Sequence, residues 1–369
     1  MPGMFLLLCI NLTLGNVAVI IPVQGDDILK NGTRSKTGRI VRTICADILM
    51  TGLILVVFAF FHHVLPMIKS SAEPSQPDMP APTAAVETVV AEEPTPTPES
   101  LEQDDRTEWQ ISFSEHFSDT IVSTENSYKS PNVSIEIKTV TVGEGDSQNT
   151  YHVADIYIAS IENFATYTAN NELKYFSTQD ALEMDAAANA LVSMTGDFYS
   201  YQKSGLLVRN GTVYMSDDAY CDICVMYYGG TVETYAKGSY DKDEILAKNP
   251  YQIWNFGPML LDSDGKAFTS FDISYTVAYA NPRSAFGYYE PGHYCFVVVD
   301  GRQKGYSLGM LMPELAAVFE ELGCTAAYNL DGGGSALMMF NHERYSQQSN
   351  GGDRNLGDIL LIRETEVHE

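Results

Sequence analysis

Residues 326–340 read AAYNLDGGGSALMMF, and this stretch combines two apolar runs with an unusual centre. The first run leads into Asp331, three consecutive glycines follow, and Ser335 opens the second run. Consecutive glycines can adopt positive φ and leave backbone N–H groups open to a ligand, which suits an anion. No lysine follows the glycines as in a Walker loop. A glycine-rich hairpin turn, with Asp331 as a turn former, explains the same letters.

Four other segments have polar side chains embedded where a buried core would be apolar. An arginine on a fixed backbone can fork onto a phosphate or carboxylate, and a carboxylate or amide can orient a substrate. Each segment alone also has an ordinary explanation as a turn. The four are VVVDGRQ (297–303) with Asp300 and Arg302, NPRSAFG (281–287) with Asn281 and Arg283, WNFGPML (254–260) with Asn255, and MTGDFY (194–199) with Asp197.

From about Arg106 onward, short β-type runs far outnumber helical patterns. Only two helices are predicted, Gln179–Ser193 and Pro313–Leu322, the second of which stops at Gly323. Strands and helices do not alternate regularly, so we predict an α+β, mixed, strand-rich domain with few helices. The predicted strands are Val133–Val142, Tyr151–Ile158, Gly205–Tyr214, Tyr220–Tyr228, Tyr294–Val299 and Ala336–Phe340.

The charge of the chain is divided unevenly. The chain has 22 Lys+Arg and 48 Asp+Glu, a formal net charge of −26. The first 70 residues are weakly basic, and the remainder is therefore strongly acidic. Nucleic acids are bound mainly through Lys and Arg on phosphates, so this composition excludes a nucleic-acid partner. With 45% hydrophobic residues, the acidic part is predicted to be a folded body rather than a disordered one.

The first 105 residues have the pattern of a membrane anchor and a spacer. Residues 44–65 are apolar over a length that crosses a bilayer core of about 30 Å, which predicts a transmembrane helix. The basic segment 26–43 precedes them and should stay cytoplasmic. Residues 1–25 contain another apolar run, either a second span or the product of a start codon placed too far upstream. Residues 66–105 form a Pro-rich, acidic linker. We therefore expect a cell-membrane protein, single-pass or double-pass, with residues 106–369 extracytoplasmic.

Taken together and in this order, these segments resemble the phosphodiester glycosidase family, which has lysosomal members and bacterial members associated with exopolysaccharides. The similarity covers roughly residues 170–365, and NLDGGGS following DGRQ is its most specific part. One departure is Thr195-Gly196-Asp197, where many members have Asn-Gly. The matching segments are NFGPMLLDSDG (255–265), NPRSAFG (281–287), residues 297–338 and NGGDRNLGDILLI (350–362).

The resemblance implies an enzyme that hydrolyses a sugar-1-phosphodiester in a glycan and releases the sugar from its phosphate. Such a leaving group needs charge stabilisation more than protonation, and arginines with glycine amides suit that task. Asp331 or Asp300 suits activation of water or attack on the anomeric carbon. The candidate catalytic residues are Asp331, Asp300, Arg283 and Arg302, and the candidate substrate-binding residues are Asn255, Asp197, Asn281, Asn329, Gly332, Gly333, Gly334 and Ser335.

Two other functions remain open from the residues alone. One is a surface carbohydrate-binding or scaffold protein without turnover, and the other is an ordinary glycosidase with two carboxylates. The sequence identifies no certain cofactor, and the many Asp and Asn oxygens leave a bound Ca²⁺ open. Cys221 and Cys224 predict a local turn with a disulfide, or small buried residues, rather than half of a zinc site. Cys295 and Cys324 lie beside the matched motifs and could pair.

Overall fold

The computed structural model describes residues 5–12, 15–22, 106–349 and 352–365 of the 369-residue chain. The chain divides into two compact units, Met1–Pro96 and Thr97–Glu369. The basic segment 26–43, the transmembrane helix 44–65 and the linker 66–105 lie outside the described residues, so they stay predictions.

In the first unit, the apolar run that could have been a second span forms strands instead of a helix. Phe5–Leu12 (β1) and Gly15–Pro22 (β2) make an antiparallel hairpin. Asn11, Gly15 and Asn16 flank the turn, and residues of these types favour turns over a continuous helix. Within the described ranges, no helix is long and apolar enough to cross a membrane.

The second unit is built mainly of short antiparallel strands, which confirms the strand-rich α+β class. Its described α-helices are α1 (Glu108–Ser112), α2 (Ala181–Ala188), α3 (Lys242–Ala247), α4 (Tyr275–Ala278) and α5 (Met312–Leu322). Its described strands are β3 (Val122–Ser123), β4 (Ser127–Lys129), β5 (Val133–Val142), β6 (Asn149–Ile158), β7 (Phe164–Thr168), β8 (Val192–Thr195), β9 (Leu206–Arg209), β10 (Thr212–Ser216), β11 (Ile223–Tyr227), β12 (Val232–Tyr235), β13 (Pro250–Trp254), β14 (Arg283–Glu290), β15 (His293–Val299), β16 (Ala326–Asn329), β17 (Met338–Phe340), β18 (Glu343–Arg344) and β19 (Asp358–Ile362).

The strands of this unit form three sheets that share one apolar core. Sheet I has the order β16-β14-β15-β6-β5-β4-β3, sheet II β18-β17-β8-β19-β7, and sheet III β10-β9-β13-β11-β12. In β15 of sheet I, Tyr294 and Phe296 enter the shared core, whereas Cys295 and Val297 pack with helix α5 on the opposite face. A strand that is buried on both faces needs a continuous apolar run, which residues 294–299 provide.

Helix α5 follows the sequence prediction, but helix α2 is shorter than predicted. Gly323, with a φ of 79°, ends α5 as expected. The predicted helix Gln179–Ser193 is instead capped by Asp180, whose side chain accepts hydrogen bonds from the N–H groups of Leu182 and Glu183. It ends at Asn189 in the left-handed conformation. The following residues pair as β8 with β17 and β19, so sheet pairing overrides the helical pattern.

Candidate active site

The loop between β16 and β17 carries Asp331 and the three glycines from sheet I to sheet II. The N–H of Asp331 donates to the carbonyl of Gly196, just after β8, at 3.1 Å. The N–H of Gly333 donates to the carbonyl of Pro282, just before β14, at 2.9 Å. Both sheets therefore fix the position of Asp331.

A cavity of about 390 Å³ opens beside this loop, and we call it the cationic cavity. Three arginines enter its wall, while Asp331 is the one acidic side chain among the described residues that line it. Such a wall favours an anionic ligand. The lining residues are Phe256, Thr276, Val277, Asn281, Arg283, Arg302, Asn329, Leu330, Asp331, Gly332, Gly333, Gly334, Gly352 and Arg354.

The glycine at position 333 lets Arg302 lie directly against the loop. Gly333 has a φ of 65°, and a Cβ added there would lie 2.8 Å from Arg302 Nη2. Arg302 Nη2 also donates to Asn281 Oδ1 at 2.9 Å, which holds the guanidinium at the wall. The N–H of Gly332 donates to Asp331 Oδ1, and that of Gly333 to Pro282. Gly333 therefore leaves room for the Arg302 guanidinium and Gly332 for the Pro282 carbonyl, while the amides of both are engaged within the protein.

Arg354 is a cavity residue that the sequence predictions did not include. Its Nη2 donates to the carbonyl of Gly332 at 2.9 Å and lies 3.5 Å from Asp331 Oδ2. Its side chain is 52% exposed, so it remains accessible to a ligand. It lies within the segment NGGDRNLGDILLI, which already resembled the family, and that position was the signal available in the sequence.

Arg283 has a structural role in the wall instead of the expected fork onto a phosphate. Its Nε donates to the carbonyl of Met310 at 3.0 Å, and its Nη2 donates to the carbonyls of Val277 at 2.8 Å and Tyr279 at 2.7 Å. Burial and the neighbouring charge of Arg302 lower its pKa to about 10. Arg283 therefore stays charged at neutral pH and fixes the backbone of residues 277–279 at the edge of the cavity.

Asp331 is largely buried, with its side chain 13% exposed. Burial raises the pKa of Asp331, and the charge of Asp197 adds to that effect. The Ser335 side chain, the charge of Arg354 and the N–H of Gly332 act in the opposite direction. Burial and a nearby cation thus shift the pKa of the Asp331 carboxyl in opposite directions. Perturbed pKa values are common for catalytic groups.

A second cavity, of about 440 Å³, lies on the other side of Asp331, and we call it the polar cavity. Asp331 and Arg354 belong to the walls of both cavities. The predicted residues Asp197 and Ser335 line the polar cavity and not the cationic one. Its lining residues are Thr178, Asp197, Phe198, Ser200, Tyr201, Asp331, Ser335, Arg354, Asn355, Leu356 and Gly357.

Asp197 belongs to a buried ion cluster that the sequence did not reveal. Arg209 Nη2 lies 2.8 Å from Asp197 Oδ2 and 2.8 Å from Asp358 Oδ2, and all three side chains are almost fully buried. Burial raises the pKa of Asp358 to about 7, although Arg209 lowers it. Burial lowers the pKa of Arg209, but the two carboxylates outweigh that effect and raise it above its usual value.

Of the three predicted asparagines, Asn281 contacts Arg302, and the other two lie in different places. Asn329 lines the cationic cavity, donates from Nδ2 to the carbonyl of Gly257 at 2.7 Å, and has a buried Oδ1 with no protein partner. Asn255 lines neither the cationic nor the polar cavity. Its N–H donates to Asp197 Oδ2 at 3.2 Å, so it supports the residue behind the polar cavity.

Asp300, the alternative catalytic carboxylate, is not brought to either cavity. Its Oδ2 accepts from Tyr306 Oη at 2.7 Å and lies 2.9 Å from His152 Nε2, while its Oδ1 accepts from the N–H of Gln347 at 2.9 Å. The side chain is 1% exposed. Both carboxylate oxygens of Asp300 are therefore engaged with partners from three separate parts of the chain.

The cysteines and acidic residues form no metal site in the part of the chain that the structure describes, where no group of three or more His, Cys, Asp or Glu could hold an ion. Cys221 and Cys224 are free thiols; Cys224 is buried, and Cys221 Sγ donates to the carbonyl of Asn255 at 2.9 Å. Cys295 and Cys324 are buried free thiols whose Sγ atoms are 3.7 Å apart.

Known proteins share this sequence pattern and fold. The uncharacterized SPbeta prophage-derived protein YomE of Bacillus subtilis is 29% identical over 163 residues, which are 43% of this chain and 25% of that protein. The chain thus spans about a quarter of that relative's length. The zebrafish N-acetylglucosamine-1-phosphodiester alpha-N-acetylglucosaminidase catalytic domain, auto-inhibited by its pro-peptide, has a TM-score of 0.52 at 18% identity, with 67% of this chain and 88% of that chain covered.

The family model for phosphodiester glycosidases matches residues 187–363, a range that includes every residue of the cationic cavity. This match confirms the resemblance that NLDGGGS and its neighbouring segments carried. Residues 187–363 are therefore similar in sequence to the phosphodiester glycosidase family.

Proposed function

We propose that the domain is a hydrolase that cleaves sugar-1-phosphodiester linkages in glycans. We further propose that it acts outside the cytoplasm, anchored to the cell membrane through residues 44–65, in cell-surface or exopolysaccharide metabolism. The family and the fold support a glycosidase-type hydrolase. The anchoring and the location depend on the sequence pattern before residue 106, and the exopolysaccharide link depends on the resemblance to the family.

One observation carries the proposed reaction, namely that a single carboxylate faces a wall of arginines. Asp331 lies 3.5 Å from Arg354, and Arg302 lies on the same cavity wall. A phosphodiester is an anion, and cations fixed before the reaction stabilise the charge that develops on its leaving group. An ordinary glycosidase would need a second carboxylate acting as an acid, and Asp300 is engaged elsewhere.

In the proposed reaction, Asp331 either attacks the anomeric carbon or accepts a proton from the attacking water. The bond between the anomeric carbon and the bridging oxygen breaks, and the phosphate monoester leaves with the electron pair. Arg302 and Arg354 stabilise the charge of that leaving group, and water supplies the oxygen of the released sugar. Asn329 Oδ1, buried and without a protein partner, would accept a hydrogen bond from the substrate.

The test is hydrolysis of methyl diesters of several sugar-1-phosphates in ¹⁸O-labelled water, with and without a chelator. We expect the label in the sugar and a loss of about 10²–10⁴-fold in kcat for Asp331→Asn. The same chemical change at the exposed Asp243 is the control, and it should leave kcat unchanged. Dependence on the chelator would reveal the Ca²⁺ that the sequence left open.

The other outcomes select the other functions. Label in the phosphate product would contradict cleavage at carbon. Activity on phosphate-free glycosides alone would favour the two-carboxylate glycosidase. Binding of sugar diesters without any turnover, in a folded protein, would favour the carbohydrate-binding scaffold.

A further inference from the structure

A larger cavity adjoins the cationic cavity, and the proposed reaction does not use it. It has a volume of about 570 Å³, and we call it the aromatic cavity. Its wall contains Phe198, Phe256, Phe268, Phe271, Met259 and Ile273. We propose that the aromatic cavity binds an apolar alcohol that is esterified to the phosphate of the substrate. This inference rests on the proposed function, in which the cationic cavity holds that phosphate.

The two cavities are neighbours that share wall residues. Phe256 and Val277 line both of them. Arg283 fixes this shared wall, because its Nη2 donates to the carbonyls of Val277 and Tyr279 at 2.8 and 2.7 Å. The aromatic cavity is therefore a neighbouring site for a group attached to a phosphate in the cationic cavity.

Two polar residues of the aromatic cavity, Asp222 and Cys221, are engaged within the protein. Asp222 Oδ1 accepts from the N–H of Lys237 at 2.9 Å, and its Oδ2 accepts from the N–H of Met259 at 3.1 Å. Cys221 Sγ donates to the carbonyl of Asn255. The side chains of Lys237 and Asp272 are exposed at the surface. Tyr220, Ser270 and Ser274 are exposed in the same way. The half-buried part of the wall is mainly apolar, and an apolar group that covers it is removed from water.

The polar cavity provides the contrast that sets the orientation of the substrate. It lies past Asp331 and Arg354, and Thr178, Ser200 and Asn355 offer hydroxyl and amide groups there. A phosphodiester carries two substituents on one phosphorus. The sugar, with its reacting carbon at Asp331, suits the polar cavity, and the other substituent is left to the aromatic cavity. The inferred substrate class is thus a sugar-1-phosphate ester of an alkyl or aryl alcohol.

The volume of the aromatic cavity predicts how kcat/KM should depend on the size of the esterified alcohol. Ligand pockets usually enclose about 300–1,000 Å³, so this cavity can enclose an aryl group or an alkyl chain of several carbons. Burial of each methylene group should raise kcat/KM about fourfold until the cavity is filled.

The experiment compares methyl, propyl, hexyl and glucosyl esters of one sugar-1-phosphate on the full-length protein. We expect kcat/KM to rise from methyl to hexyl and the glucosyl ester to react less well than the hexyl ester. Phe271→Ser and Ile273→Ser should reduce the gain per methylene group. Val213→Ser, which removes an equally apolar side chain that is 50% exposed on β10, should leave that gain unchanged.

Failure of the inference and failure of the proposed function give different results. Hydrolysis of the methyl ester with no gain for the hexyl ester, or a preference for the glucosyl ester, would overturn the apolar subsite alone. Absence of hydrolysis for every ester would overturn the proposed function. Calorimetry with hexyl phosphate and methyl phosphate then decides the subsite by itself, because tighter binding of hexyl phosphate supports it and equal binding refutes it.

Discussion

Arg354 acts on two partners in the candidate site. Its guanidinium lies 3.5 Å from Asp331 Oδ2, and its positive charge lowers the pKa of that carboxyl against the effect of burial. The same side chain is half exposed and lines the cavity that we assign to the phosphate. Binding of a negatively charged substrate next to Arg354 would therefore also affect the pKa of Asp331.

Replacing Arg354 with Gln should move the acidic limb of the kcat profile to higher pH. In the proposed reaction Asp331 acts as an anion, and removal of the cation raises its pKa, so activity should be lost at a higher pH as the solution is acidified. Arg354→Lys keeps the charge and should leave the limb close to its original position. Measuring kcat at saturating substrate separates this effect from weaker binding. A limb that stays in place in the Gln variant would show that Asp331 does not control it.

Asp300→Asn should destabilise the protein without removing catalysis by the molecules that remain folded. The amide cannot replace both acceptor oxygens, and a buried partner left unsatisfied costs about 1–3 kcal/mol. Urea unfolding measures the loss of stability, and the turnover rate per folded molecule measures catalysis. A loss of turnover as large as that of Asp331→Asn, in a protein of normal stability, would return Asp300 to the catalytic centre.

Residue types predicted the chemistry of the site better than its geometry. Asp331, Arg302 and Asn329 do line one cavity, because they lie at the ends of apolar runs that the fold brings together. Arg283 also lines this cavity, whereas Asp300, which has the same appearance in the sequence, lines neither the cationic nor the polar cavity. The Arg283 side chain donates to backbone carbonyls, and the Asp300 side chain accepts from buried partners. A sequence motif does not reveal in which direction such a side chain points.

At the scale of elements, turn chemistry was the signal that the strand predictions missed. The predicted strand Gly205–Tyr214 is a hairpin of β9 and β10, in which Asn210 and Gly211 have φ of 48° and 79°. An Asn-Gly pair between apolar runs favours this tight turn. The position of the hairpin is nevertheless decided by the pairing of β9 with β13, which connects residues far apart in the chain.

The thiols of Cys295 and Cys324 should form a disulfide under oxidation. Their Sγ atoms are 3.7 Å apart, one on β15 and the other just after α5, so a bond would join the helix to the sheet. Burial raises the pKa of the Cys295 thiol, which keeps the thiolate scarce, so the reaction should be slow at neutral pH. A crosslink of this kind typically stabilises a protein by about 2–4 kcal/mol.

Peptide mapping by mass spectrometry after treatment with a thiol oxidant checks this prediction, and Cys295→Ser is the control that should prevent the crosslink. A thermal midpoint that rises in the oxidised protein, but not in the variant, would support the stabilising effect. Crosslinking of Cys221 to Cys224 in its place would contradict the prediction.

At the scale of the whole molecule, Arg209 joins sheets that are distant in sequence. It lies on β9 of sheet III, and its partners are Asp358 on β19 of sheet II and Asp197 just after β8. It also donates from Nη1 to the carbonyl of Ile253 at 2.5 Å. No local sequence pattern predicts such a cluster, because 149 residues separate Arg209 from Asp358.

Arg209→Met should reduce the free energy of unfolding by about 3–5 kcal/mol, because it leaves two carboxylates buried without their cation. Lys266→Met is the matched control. It breaks the exposed pair with Glu320, 3.0 Å apart, and should cost less than about 1 kcal/mol. Urea unfolding of both variants gives the comparison. Equal effects would mean that the buried cluster contributes no more than a surface ion pair.

Asp331 and Arg354 line both the cationic cavity and the polar cavity. This arrangement has a consequence for the order in which the two products leave after cleavage. If each product occupies its own cavity, neither has to leave before the other. The two products would then dissociate in random order.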